Sequence, residues 1–222
     1  SDTPALSLVS LMDHTPGQRQ WRDTSSYRTY YSNIASWTDE EFEQVVERLQ
    51  TARDGCAEDN AASVMAFCRE RGLPMASHDD TLVEHVEEAL GNGIAISEFP
   101  TTMEAARHAS ENGMLVLMGA PNVVRGGSHS GNISALEIAQ AGYLGSLSSD
   151  YVPVSLLEAA FALSEGGYMS LPAAVGLVPA EAVGLADRGS LEVGRRADLV
   201  RVSMVEGQPV VRNVWREGAE VF

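Results

Sequence analysis

The sequence contains no lysine: all fifteen of its basic residues are arginine. A Schiff-base lysine and a carboxylated lysine bridging two metal ions are therefore excluded within these residues. Cysteine is nearly absent too. Cys56 and Cys68 fall in a helical region, spaced for neither a metal knuckle nor a CxxC redox pair. They are expected to be buried free thiols, which suits a reducing cytoplasm. No apolar run reaches the roughly 18 residues of a membrane-spanning helix, and no cleavable leader is recognisable. Positive charge is scarce: the net charge is -16, which argues against nucleic acid or an anionic membrane as a general partner. A local group of arginines could still hold a small anion.

What is present is a hydrophobic content of 44% in 222 residues, enough for a buried core. From Leu73 to Asn122 one pattern repeats: an apolar run ending in polar residues, then an amphipathic helix. Leu73 to Asp80 is the first instance, Ile94 to Pro100 the second, and Met114 to Asn122 a third strand. Continuous apolar runs flanked by helices indicate parallel strands covered on both faces. Such folds place their chemistry at the carboxyl ends of the strands.

In chain order, Leu6 to Met12 reads as a strand that ends in Asp13-His14, with Pro16 and Gly17 forcing a turn. Trp21 to Trp37 reads as a loop excursion with local helix. Thr38 with Glu41 predicts a capped helix, and a second helix follows Asp54-Gly55 and ends at Gly72. Thr81 with Glu84, Thr101 with Glu104, Ser134 with Glu137 and Ser155 with Glu158 predict four more capping boxes. Gly119 to Asn132 is expected to be a glycine-rich loop, and Leu144 to Asp150 a last strand. Pro179 should start a short helix stopping at Gly189, after which short β-like runs separated by glycine form a small appendage. The expected class is α/β, with parallel strands at Leu6, Leu73, Ile94, Met114 and Leu144. Five such units are too few to close the usual eight-stranded barrel.

His14, His78 and Asp150 each terminate one of these strands at what would be the same end of a parallel sheet. Taken singly, each reads as a cap or a loop hydrogen bond. Together they are imidazole and carboxylate ligands for a divalent ion, zinc first, able to lower the pKa of water to about 7. Asp79 and Asp80 stand just before a helix, so N-capping is the stronger reading for at least one of them, and both are kept as supporting residues behind the ligands. Glu98 faces the same mouth, with a ligand or acid–base role on equal terms with a structural one. His85 and His108 lie within helices and are expected at the solvated surface. The stretch Asn122 to Asn132 combines bare backbone donors with Arg125, Ser128 and His129, a chemistry suited to phosphate oxygens and equally typical of a surface loop. It is neither a Walker loop, for want of lysine, nor a nucleophile elbow, because its Gly127-Ser-His-Ser-Gly131 centres on histidine.

Ser10 to Gln20, Ala76 to Asp80, Ser97 to Thr102, Met118 to Asn132 and Ser148 to Pro153 closely resemble, in order and across nearly all of the chain, the PhnM family. These are the alpha-D-ribose 1-methylphosphonate 5-triphosphate diphosphatases of bacterial phosphonate (carbon–phosphorus lyase) catabolism. Gly189 to Val200 additionally resembles the closing segment of the wider amidohydrolase superfamily. The resemblance implies a partial TIM-like (β/α) barrel over residues 1–188, small β-sandwich strands over 189–222, and a cytoplasmic enzyme dependent on a divalent metal. It further implies a small phosphorylated ribose phosphonate as substrate, and is compatible with a homo-oligomer. The family's first barrel strands, with a His-x-Asp or His-x-His motif, should precede Ser10, so the expectation is that this is the C-terminal portion of such a protein.

On that footing His14, His78 and Asp150 are expected to hold the metal, with His78 and Asp150 catalytic and Asp150 accepting the proton of the attacking water. Arg19, Arg125, Ser128 and His129 are expected at the polyphosphate. Two other readings use the same residues: an amidohydrolase acting on a cyclic amide or nucleobase, and a non-catalytic module that keeps the fold without the first-strand ligands.

Overall fold

The computed structural model describes residues 6–32, 34–128 and 131–222. The chain divides into two compact units, Ser1–Met114 and Leu115–Phe222. The five strands expected to be parallel are all present, each followed by helix.

In the first unit β1 (Val9–Leu11) pairs in parallel with β2 (Met75–His78), which pairs in parallel with β3 (Ile96–Glu98). The register sets Leu11 against Ser77 and His78 against Glu98, so the polar ends of the strands stand side by side. β1 is shorter than the apolar run suggested, starting only at Val9.

Between β1 and β2 run a 3₁₀ turn (Arg19–Trp21) and helices α1 (Thr24–Tyr31), α2 (Asp39–Asp54) and α3 (Ala57–Arg71). The capping box of Thr38 and Glu41 is formed on α2. Gly72 closes α3 at φ 60, the left-handed conformation that costs glycine least. Buried Trp21, Tyr27 and Phe42, packed with Tyr31, Trp37, Val46 and Leu49, give the Trp21–Trp37 excursion an aromatic core of its own. α4 (Val83–Gly91) follows β2, and α5 (Met103–Glu111) follows β3.

The second unit pairs β4 (Leu115–Gly119) in parallel with β5 (Ser146–Ser148). Helices α6 (Ala120–Arg125) and α7 (Ala135–Gln140) lie between them, and α8 (Ser155–Glu165) follows. Its core joins Ala120, Ala139, Leu147, Ala159, Ala160, Leu163 and Ala174. A π-helical turn (Ala173–Leu177) leads into α9 (Val178–Ala182). The small appendage is an antiparallel sheet of β6 (Leu199–Val205), β7 (Gln208–Arg216) and β8 (Ala219–Glu220). Among the described residues no helix is long and apolar enough to cross a membrane.

Several local expectations are corrected. The first half of the supposed glycine-rich loop is helix α6, because Pro121 occupies a first-turn position where its missing N–H costs nothing. α9 ends before Gly184, at φ 71, well short of Gly189. The box at Ser134 and Glu137 is present, but three others are not. Thr81 is drawn inward: its hydroxyl donates to the Asp79 carbonyl and accepts from Thr101, so neither threonine caps a helix. His85 Nδ1 instead accepts the Thr81 N–H at 3.1 Å, and Thr102 caps α5 through Ala105. His85 is therefore half-buried rather than simply solvated, and His108 is paired with Glu87. Ser155 is already inside α8, its hydroxyl bonded to Val152 O. Cys68 is buried as expected, whereas Cys56 is exposed; both are free thiols.

Candidate metal centre

The site in the first unit grows from the ends of β1, β2 and β3. β2 ends at His78, and the next residue, Asp79, turns the chain at φ 57. A left-handed residue other than glycine is tolerated best when its side chain is short and polar. Asp79 is held there from both sides: its N–H donates to Glu98 O at 2.9 Å, and its carbonyl accepts from Thr81 Oγ1 at 3.0 Å. Phe99 repeats the device after β3, at φ 55. This turn reverses the reading of Asp79. It is not an N-cap, for α4 starts four residues later with Leu82 as its cap, and the carboxylate points back to the histidines.

His14 Nε2 lies 3.0 Å from Asp79 Oδ2, and His78 Nδ1 lies 3.0 Å from the same oxygen. The two rings meet edge to face, 5.3 Å between centroids, and Phe99 packs at 5.2 Å on His78. The donor atoms of His14, His78 and Asp79 all lie within 4.8 Å of one another. His78 Nδ1 is buried, and although it is close to Asp79 it has no hydrogen bond of acceptable geometry. A buried polar atom left in this state calls for an explanation. Two imidazoles and a carboxylate converging on one point, one nitrogen unsatisfied, fit the donor set of a zinc-like divalent ion. Donor atoms bound at about 2 Å would stand roughly 3 to 4 Å apart. The group could therefore hold a metal ion.

Charge is arranged to match. Burial works against ionising Asp79, but His14 and His78 beside it hold its pKa below the usual carboxylate value. Burial likewise depresses His78, yet the Asp79 carboxylate, followed by Glu98, pushes its pKa above 6.5. Glu98 Oε2 stands 3.9 Å from His78 Nε2 and accepts a 2.5 Å hydrogen bond from Ser10 Oγ, so both nitrogens of His78 face carboxylates.

Beneath this cluster is a second network that the sequence did not announce. Asp80 is fully buried and accepts hydrogen bonds from Arg19 Nη1 (2.5 Å), Ser77 Oγ (2.5 Å) and Ser97 Oγ (2.7 Å). Asp80, too, is no helix cap. The signal available was Ser77 and Ser97 themselves: hydroxyls inside apolar strands need a buried partner.

The remaining candidates belong to the second unit. Asp150 lies just past β5 at φ 49, its N–H bonded to Ser148 Oγ at 3.2 Å. Gly119 makes room for it, since a Cβ there would come within 3.2 Å of Asp150 Oδ2. Arg125 ends α6 and reaches Tyr151 OH at 3.3 Å, while Gly126 turns the chain at φ 76 before Ser128. His129 lies outside the described residues. The structure thus brings together His14 and His78, adds Asp79, and ties Arg19 to Asp80.

No protein-family model matches the chain. Along 98% of its length it is 48% identical to the alpha-D-ribose 1-methylphosphonate 5-triphosphate diphosphatase of Escherichia coli (strain K12). The match covers 59% of that relative, so the chain spans about three-fifths of the length of the curated protein it resembles. The family resemblance carried by the strand-end motifs is borne out.

Proposed function

We propose that this chain is part of a metal-dependent phosphoanhydride hydrolase that converts alpha-D-ribose 1-methylphosphonate 5-triphosphate to the 5-phosphate and pyrophosphate. The observation that carries the substrate is the 48% identity, over 98% of the chain, to a protein named for that reaction. The His14, His78 and Asp79 cluster supports the metal. In this reading residues 1–188 are part of a TIM-like barrel, residues 189–222 are β-sandwich strands, and the protein works in the cytoplasm.

The His14, His78 and Asp79 group of the first unit would hold the ion, zinc first, and Asp150, just past β5, is kept as a further ligand candidate. When bound, the ion supplies a water of lowered pKa and offsets charge on the phosphoryl oxygens. The water oxygen bonds to the phosphorus nearest the ribose, the bridging oxygen departs with pyrophosphate, and Asp150 accepts the proton of the water. Arg125, Ser128 and His129 face the terminal phosphates, the guanidinium matching their oxygens. Arg19 stands apart from these, because its guanidinium is held by Asp80.

The full protein should release one pyrophosphate per triphosphate consumed, with stoichiometric divalent metal, and leave cyclic amides and nucleobases untouched. Turnover of a cyclic amide without pyrophosphate release would reject the phosphoanhydride reading.

Two further results are expected. Protons and metal compete for His78, whose pKa is raised by Asp79 and Glu98, so below that pKa the ring must lose a proton to bind. Apparent metal affinity should therefore still climb as pH rises past 6.5; competition titrations giving a flat affinity there would contradict the assignment. Gly119→Ala should push the Asp150 carboxylate by a few tenths of an ångström and cut pyrophosphate release by about tenfold while barely changing stability. Wild-type turnover in that variant would speak against Asp150 at the reacting centre.

A further inference from the structure

His14 is carried by a strap, residues 13–21, rather than by a regular element. Its side chain is 39% exposed, so packing alone does not fix the ring. The strap is tied down at four points. Asp13 accepts from Arg53 Nε at 2.6 Å, and the Pro16 carbonyl accepts from Gln50 Nε2 at 2.9 Å. Trp21 is buried in the aromatic cluster. The fourth tether, Arg19 to Asp80, joins the strap to the strand ends that bear His78 and Asp79 independently of the His14–Asp79 contact itself. Its anchor cannot shift, because Asp80 is also gripped by Ser77 on β2 and Ser97 on β3.

Arg19 sits at φ 44, a left-handed conformation disfavoured for a residue with a Cβ. Such strain persists only where the surroundings over-determine it. Here the surroundings are a 2.5 Å charge-assisted hydrogen bond to a fully buried carboxylate.

We infer that Arg19 is a positioning residue: through Asp80 it locks the strap so that His14 meets His78 and Asp79 as one ligand set. This rests on the metal reading of that cluster. In this role Arg19 acts through Asp80 on the distance between two loops rather than on the ion itself.

The test measures metal affinity of the full protein, its pyrophosphate-release kinetics, and the response of both to added guanidinium. Arg19→Ala should weaken metal binding by about 10- to 100-fold, the usual effect of removing a group that orients a ligand. Millimolar guanidinium should restore much of the loss. Arg19→Lys should recover only part of the affinity, because an ammonium cannot reproduce the planar fork. If Arg19→Ala fails to fold, Arg19→Ala/Asp80→Asn removes both charges and should show the same weakened affinity. Wild-type affinity in the folded single or double variant would overturn the inference. So would unchanged affinity with a raised KM, which would make Arg19 a phosphate contact. Absence of metal from the wild-type protein would remove the metal reading itself, and the inference with it.

Discussion

Replacing His78 by alanine should lower pyrophosphate release by the full protein by roughly 10³-fold, about 4 kcal/mol of transition-state stabilisation. His78 is the hinge of the cluster: its Nδ1 is 3.0 Å from Asp79 and its Nε2 3.9 Å from Glu98, while its ring packs on both His14 and Phe99. Truncation removes one of the two imidazoles beside Asp79, and with it a nitrogen of the proposed donor set. The loss should appear in kcat with metal content falling in parallel, because the phosphate contacts assigned to Arg125 and Ser128 are unaffected. His78→Gln, which keeps a polar tip but not the imidazole nitrogens, should fare little better. A His78→Ala protein that retained stoichiometric metal and full turnover would eliminate the site.

The strands were legible because their apolar runs are continuous and end in polar residues, and all five fall where the pattern put them. His78 was legible for the same reason, being the last residue of β2, whereas His14 lies beyond the end of β1 at Leu11 and reaches the cluster through the strap. Asp79 was not, because an acidic residue before a helix ordinarily caps it. What decided otherwise was a backbone torsion, φ 57, held by hydrogen bonds to Glu98 and Thr81 that are distant in sequence. The misplaced caps share that origin. Thr81 and Thr101 carry good capping chemistry, but each hydroxyl was claimed by the other across two strand ends. Local propensity loses where a buried polar group has no other partner. Ser155 fails differently, by a shift of one position into its helix. The antiparallel pairing of β6 and β7 was expected only as short β-like runs, since glycine turns in sequence mark breaks but not register.

Asp80→Ala should be the most destabilising single truncation in the first unit, costing about 3–5 kcal/mol in metal-free protein, as breaking one side of a buried ion pair does. The carboxylate is fully buried, and its loss strands one guanidinium and two hydroxyls at once. Arg19 is 18% exposed and can reach some solvent, which draws the expected figure toward the lower end, about 3 kcal/mol. Asp80→Asn keeps the shape and one acceptor oxygen, so about 1–2 kcal/mol is expected there. Asp13→Ala is the internal control. Its partner Arg53 is also an arginine, at 2.6 Å, but the two side chains are 27% and 32% exposed, and a solvated pair contributes about 1 kcal/mol or less. Urea denaturation followed by tryptophan fluorescence reads this unit through Trp21 and Trp37. The same two charge types at nearly the same distance should thus differ at least about threefold in their contribution, because Asp80 is buried and also satisfies two hydroxyls while Asp13 is partly solvated. An Asp80→Ala protein within about 1 kcal/mol of wild type would mean that Ser77, Ser97 and Arg19 find other partners. In that event Asp80 would not be the anchor on which the strap carrying His14 depends.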